Sequence, residues 1–328
     1  MICLSILYVD GNLVKSILTL TMNPSVDLNA TTPVVTDEKK LRCSNVGYDA
    51  GGGGINVSRA ITILGGRSKA FFPAGGPMGD FLVDLLHRDN IEHVRFPIAD
   101  ETRLNASFIE ESTDKQYRFN MPGALLQDHE WQQVLTCLQE FIPSPDFLVV
   151  SGSLPKGVPI DFFKNVCDAT KDMDCKLIVD TAQEPLQHAL DGGVFLMKPN
   201  LNEFQWLTGE RFQNEQEIIH EAQQMIQRNQ STYIVISLGA AGAFFITRDE
   251  YTYLRSPLVP IRSRVGAGDS MVAGITLKLA QGESIEHAVR YGIAAAASAV
   301  MTPGTELCRR DDTDRLYQQI MSFPINNQ

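Results

Sequence analysis

Short apolar runs alternate with amphipathic stretches along almost the whole chain, and this alternation restricts the fold more than any other feature. Residues 17–22, 69–72, 147–150, 176–180, 194–198 and 233–237 read as buried strands. Between them, apolar residues recur at helical spacing. Ile55, Ala60, Ile61 and Leu64 make one face, and Phe81, Leu82, Leu85 and Leu86 another. Segments 128–141, 159–170, 214–229, 268–280 and 284–301 continue the series. Apolar strands separated by helices predict an α/β fold with a parallel sheet covered on both faces. Ligands of such sheets sit outside the carboxyl ends of the strands. Two stretches, 28–48 and 102–121, break the rhythm with alternating polar and apolar residues and no intervening helix. They predict a small accessory sheet that needs a ligand or a second subunit on its free face. No linker divides the chain, so 1–328 reads as one domain, with 1–16 as an extension before the first strand.

Charge narrows the function classes. The chain carries 28 basic and 39 acidic side chains, a net charge of −11. That argues against a nucleic-acid or anionic-membrane surface and leaves room for a small basic pocket. No apolar stretch reaches the length of a membrane span, and residues 1–7 lack the basic flank and cleavage site of a secretory signal. Cys3, Cys43, Cys137, Cys167, Cys175 and Cys308 include no Cys-x-x-Cys pair and read as reduced thiols of a cytoplasmic protein. The six histidines show no metal-binding spacing.

Gly266-Ala267-Gly268-Asp269-Ser270 leads directly into the helical pattern of 268–280. The first N–H groups of a helix have no partner within it, and the dipole is positive there, so this is an anion site built from backbone. Asp269 reads equally as a helix cap and as a base facing a bound phosphate. Gly51-Gly52-Gly53-Gly54-Ile55-Asn56-Val57 also opens a helix, and lets backbone approach a ligand closely. It is not a dinucleotide fingerprint, because Val57 stands where Gly or Ala is needed. The chain has no Gly-Lys dipeptide, which excludes a Walker-type phosphate loop, and no Gly-x-Ser-x-Gly elbow. Asp27, after the first strand, is either a turn residue or a sugar ligand. Asn200 and Glu203 in Lys198-Pro199-Asn200-Leu201-Asn202-Glu203 suit a capping box, or a hydrated Mg²⁺ near phosphates. Ser237, Gly239 and Gly242 suit a tight turn or a flat nucleotide. Lys39, Lys40, Arg42, Arg103 and Arg118 lie in the accessory stretches, as a phosphate clamp or as solvated edge charges.

Together these motifs resemble, in order and spacing, the PfkB-type sugar kinases of the ribokinase-like superfamily, from about residue 17 onward. Lys40-Leu41-Arg42-Cys43, Phe72-Pro73-Ala74-Gly75-Gly76, Tyr117-Arg118-Phe119, Met121-Pro122-Gly123 and Ser151-Gly152-Ser153-Leu154-Pro155 narrow the resemblance to the bacterial 6-phosphofructokinase isozyme 2 branch. It implies a three-layer α/β/α ribokinase-like domain with a mainly parallel central sheet, and a β-sheet lid that doubles as a dimer clasp. It implies ATP-dependent phosphorylation of the 1-hydroxyl of fructose 6-phosphate. Tagatose 6-phosphate and fructose 1-phosphate are alternative acceptors, and a non-catalytic sugar-phosphate sensor is a remote alternative. By position, the resemblance makes Asp269 the base and has Gly266, Ala267 and Gly268 present N–H groups to the transferring phosphoryl. Asp27, Gly52, Gly53 and Asn56 would hold sugar hydroxyls, with Ser153 bordering the sugar. Lys40, Arg42 and Arg103 would bind the 6-phosphate, Lys40 from a neighbouring subunit. Lys198, Asn200, Glu203, Ser237, Gly239 and Gly242 would lie along ATP and its Mg²⁺, with Glu203 reaching the metal through water. K⁺ is a further expected ion. The chain departs from the family where Arg264 replaces a threonine that contacts the nucleotide, and its 301–305 loop is shorter. A carboxylate at a helix N-terminus is expected to be a weak ground-state base, because the dipole favours its charged form.

Overall fold

The computed structural model describes residues 2–3, 7–9, 12–142, 144–323 and 326–327, with side chains described within 15–141 and 144–323. Its central sheet has the strand order Asn326–Asn327, Tyr251–Arg255, Gly242–Ile246, Ser231–Ser237, Val194–Met197, Lys176–Asp180, Phe147–Ser151, Ile17–Leu20, Lys69–Ala74 and Glu92–Pro97. From Ser231–Ser237 to Glu92–Pro97 every neighbouring pair is parallel. The three strands at the other edge are antiparallel. All six strands expected from apolar runs lie in this sheet. Glu92–Pro97 was not anticipated: as an edge strand it is only half-buried and carries a mixed sequence.

Side chains alternate between the two faces of each strand. Leu18, Leu20, Leu148, Val150, Leu177 and Val179 join one core. It packs the helices Asp128–Gln139, Phe162–Thr170, Gln183–Gly192 and Glu215–Gln227 on one side. Ile17, Phe147, Val149, Ile178, Leu196 and Val235 face the other way, under Gly53–Ile63, Ala267–Ala280, Ile285–Val300 and Arg310–Met321. This is the expected three-layer α/β/α arrangement. Residues 270–277 of the Ala267–Ala280 helix are all buried, so its N-terminus is held on a rigid element.

A separate four-stranded sheet runs Lys115–Phe119, Arg103–Glu110, Ser25–Thr32, Ser44–Gly51. It matches the accessory sheet expected from 28–48 and 102–121, but begins at Ser25. Asp27 is therefore part of a strand and not of a turn, paired with Asp49 on one side and Asn105 on the other. Val26 and Ala50 anchor this sheet on the Gly76–Arg88 helix through Leu82, Leu85 and Leu86. The extension 1–16 lies partly outside the described residues. Within it Leu7–Val9 pairs with Asn12–Val14, and Ile2–Cys3 runs beside Phe141–Ile142.

Candidate active site

The carboxyl ends of the parallel strands assemble the site from their register. Val179 pairs with Met197, so the next residues, Asp180 and Lys198, meet across the two strands. Lys198 Nζ lies 3.2 Å from Asp180 Oδ1. On the other side Ser151 pairs with Asp180. Further along, Ser237 N–H donates to the Pro199 carbonyl at 2.9 Å. Ser151, Asp180, Lys198 and Ser237 thus line up at the carboxyl end of the sheet, where the ligand of such a sheet belongs.

Two helix N-termini converge on this row. Gly52, at φ 109°, turns the chain into Gly53–Ile63. A Cβ at Gly53 would strike Ser151 Oγ and lie 2.7 Å from the Gly152 nitrogen, so the loop packs backbone to backbone. Gly266, at φ 73°, starts Ala267–Ala280 from the left-handed region that favours glycine. Between the two helices, Asn56 Nδ2 donates to Asp269 Oδ2 at 2.9 Å. Asn56, expected to hold sugar hydroxyls, here orients the carboxylate. Among the described residues this is the hydrogen bond of the Asp269 side chain, which does not cap its own helix.

The electrostatics correct the expected weak base. Burial and the Asp180 carboxylate push Asp269 up to about 7, against the Asn56 amide and the Lys198 ammonium, which pull it down. Desolvation and a like charge outweigh the dipole here. Burial opposes the charge on Lys198, but Asp180, Glu203 and Asp269 together hold its pKa above the usual lysine range. A Cβ built on Gly268 would stand 3.6 Å from the Lys198 ammonium, so that charge sits beside the Gly266–Asp269 turn.

Neighbouring residues of this turn line two cavities. The first, about 720 Å³, takes in Ser153, Asp180, Glu203 and Asp269. The second, about 510 Å³, takes in Lys198, Ser237, Gly239, Gly242, Arg264, Ala267 and Gly268, and is also lined by Leu258, Ile261 and Val300. The cavities meet at the helix N-terminus.

Other expected site residues fall as follows. Asp27 Oδ1 accepts hydrogen bonds from Ser25 Oγ (2.7 Å) and Asn105 Nδ2 (2.9 Å). A Cβ at Gly51 would collide with its carboxylate. Ser153 Oγ accepts from Asn23 Nδ2 at 3.0 Å. Arg103 donates to the carbonyls of Asn23 (2.8 Å) and Pro24 (3.4 Å), tying the lid sheet to the strand end. Asn200 and Glu203 form a reciprocal capping box on Leu201–Thr208. The cap reading of this pair is therefore realised, while Glu203 still faces the first cavity. Lys40 and Arg42 are exposed in the connection between Ser25–Thr32 and Ser44–Gly51. Among the described residues nothing ties them to Asp269. Asp180 and Asn105 were missed in the sequence; the signal for Asp180 was a carboxylate ending an apolar strand.

The pfkB family carbohydrate kinase model matches residues 20–312. An ATP-dependent 6-phosphofructokinase isozyme 2 of Mycobacterium tuberculosis is 42% identical over 303 residues, covering 92% of this chain and 89% of that protein. The protein of the same description from Escherichia coli K12 is 40% identical over 302 residues, covering 92% and 97%. Crystal structures of phosphofructokinase-2 from Escherichia coli, in complex with potassium and with fructose-6-phosphate, match with TM-scores of 0.89 and 0.88. They are 38% and 39% identical, over 94% of this chain and 99% of theirs. The chain belongs to the pfkB family of carbohydrate kinases.

Proposed function

We propose that this chain is an ATP-dependent 6-phosphofructokinase, which phosphorylates the 1-hydroxyl of fructose 6-phosphate to give fructose 1,6-bisphosphate and ADP. The observation that carries the reading is Asp269, oriented by Asn56 where two cavities meet at a helix N-terminus. The sugar phosphate lies on the side of Asp27, Gly52, Gly53 and Ser153, and ATP fills the second cavity along Lys198, Ser237, Gly239 and Gly242. Phosphoryl transfer passes through a loose transition state, so positioning and charge neutralisation dominate. Asn56 holds Oδ2 of Asp269, leaving Oδ1 for the sugar hydroxyl. That oxygen takes the proton as the oxygen–phosphorus bond forms. The N–H groups at the start of Ala267–Ala280 and the Lys198 ammonium stabilise charge on the transferring phosphoryl.

Mg²⁺, when bound, neutralises phosphate charge. The donors present are hard carboxylate oxygens of Asp180 and Glu203 facing one cavity, which suits an ion that keeps most of its waters. For K⁺, the loop after Ile285–Val300 offers neutral carbonyls. Gly304 accepts a hydrogen bond from Ser263 Oγ and retains a second lone pair, whereas the Val300 carbonyl already accepts from the N–H groups of both Arg262 and Ser263. Activity that falls when K⁺ is replaced by tetramethylammonium supports this site, and unchanged activity overturns it.

Lys40 and Arg42 complete the 6-phosphate clamp from a lid shared between two subunits. The free lid face exposes Val34, Val46, Tyr48, Phe119 and Met121, an apolar patch suited to a homodimer. The reaction is a step of glycolysis, placed in the cytoplasm. Release of ADP measured across fructose 6-phosphate, tagatose 6-phosphate, fructose 1-phosphate and ribose tests the substrate. The highest kcat/KM is expected with fructose 6-phosphate. An unphosphorylated sugar as best acceptor overturns the clamp, and tight binding without ADP release makes the chain a sensor.

A further inference from the structure

Arg264 has no place in the chemistry above, yet it lines the second cavity together with Ala267 and Gly268. That cavity has a polar end, formed by Lys198, Ser237 and the helix N-terminus, and an apolar end, formed by Leu258, Ile261, Ile293 and Val300. No aspartate or glutamate lines it. Two cations do. Lys198 pairs with Asp180 and serves the transferring phosphoryl. Arg264 makes no side-chain hydrogen bond or ion pair among the described residues, although the chain as a whole is acidic. Backbone connectivity fixes its position. Gly266, two residues on, caps the Ala267–Ala280 helix, and buried Ser263, one residue back, is pinned by its Oγ donating to the Gly304 carbonyl at 2.6 Å. The backbone of Arg264 is therefore held between the helix N-terminus and Val300, whose carbonyl accepts from the N–H groups of Arg262 and Ser263, and its exposed guanidinium swings from that fixed point.

We propose that Arg264 is a nucleotide-binding residue specific to the polyphosphate: its guanidinium pairs with the α- or β-phosphate of the nucleotide, outside the reach of the Lys198–Asp180 pair. This rests on the nucleotide occupying the second cavity. A guanidinium presents a planar fork of donors that matches phosphate oxygens, and it keeps its charge at any working pH. The contact serves ADP and ATP alike, and leaves adenosine untouched because its apolar end of the cavity is elsewhere.

The test is the dissociation constant of ADP, AMP and adenosine for the full-length protein and for Arg264→Ala and Arg264→Lys, at several salt concentrations. Arg264→Ala should weaken ADP binding about ten- to a hundredfold, with adenosine unchanged within about twofold and a shallower salt dependence for ADP. Arg264→Lys should fall between, because it keeps the charge without the fork. Equal ADP affinity for Arg264→Ala and wild type, or equal losses for ADP and adenosine, overturns the proposal. Photolabelling of the wild type with 8-azido-ADP separates the two readings. Adducts within 256–261 or 293–300 uphold the nucleotide cavity whatever Arg264 does. Adducts elsewhere overturn the cavity assignment itself, and the Arg264 proposal with it.

Discussion

For Asp269, the proposed base, environment and not residue type sets the pKa. Its place at a helix N-terminus alone points to a low pKa; burial beside Asp180 reverses this and brings it to about 7. A base must be deprotonated to act, so kcat/KM for fructose 6-phosphate should rise about tenfold per pH unit below pH 7 and level off above it. In Asn56→Ala the inflection should move to higher pH, because the lost amide favoured the charged form. A pH–rate profile flat from 5 to 8 contradicts this. Stability carries the opposite sign. The folded pKa lies above the unfolded one, so the carboxyl's contribution is present below about pH 4 and lost as pH rises through about 7. Asp269→Asn should therefore gain on the wild type in Tm between pH 4 and pH 8. Asp269 itself was legible because a glycine-rich turn preceded a buried helix. Asp180 was not, because its role exists only once parallel register brings it beside Lys198.

At the scale of elements, the lid sheet is joined to the body by charge as well as by packing. Arg59, on Gly53–Ile63, donates to Asp49 of the lid strand Ser44–Gly51 at 2.8 Å and to Asp89 beyond the Gly76–Arg88 helix at 3.2 Å. Asp49 also accepts from Asn29 and Thr305, so lid, helix and the 301–306 loop share one carboxylate. Arg59→Ala removes one partner from each of two partly buried carboxylates, which keep Arg88 at 3.8 Å (Asp49) and 2.9 Å (Asp89), and should cost about 2 kcal/mol, as for losing hydrogen bonds to charged groups. Urea denaturation checks it; a loss under about 1 kcal/mol, typical of exposed pairs, makes the network decorative. Elements with two apolar faces were legible in the sequence, as the six parallel strands show. Narrow ones were not. Arg310–Met321 buries only Thr313, Leu316 and Ile320, a stripe hidden among charged residues.

At the scale of the whole molecule, the proposed phosphate clamp is shared between two chains. The lid's apolar face includes Val46 at 57% and Phe119 at 51% exposure, and Lys40 and Arg42 stand exposed on the same sheet's connection. Val46→Glu combined with Phe119→Glu should convert the proposed dimer to monomers in sedimentation velocity, and raise KM for fructose 6-phosphate far more than KM for ATP. An unchanged mass, or equal changes in both constants, contradicts the shared clamp. The sequence pattern delimited this sheet, but no pattern within one chain states whose phosphate site its cations serve. The central claim is that Asp269 is the base for transfer from ATP to the 1-hydroxyl of fructose 6-phosphate. The direct test is the rate of fructose 1,6-bisphosphate formation by Asp269→Asn, with binding of both substrates measured alongside. We predict a fall in kcat of about 10²–10⁴ with both affinities kept within a few-fold; near-normal turnover would contradict the account.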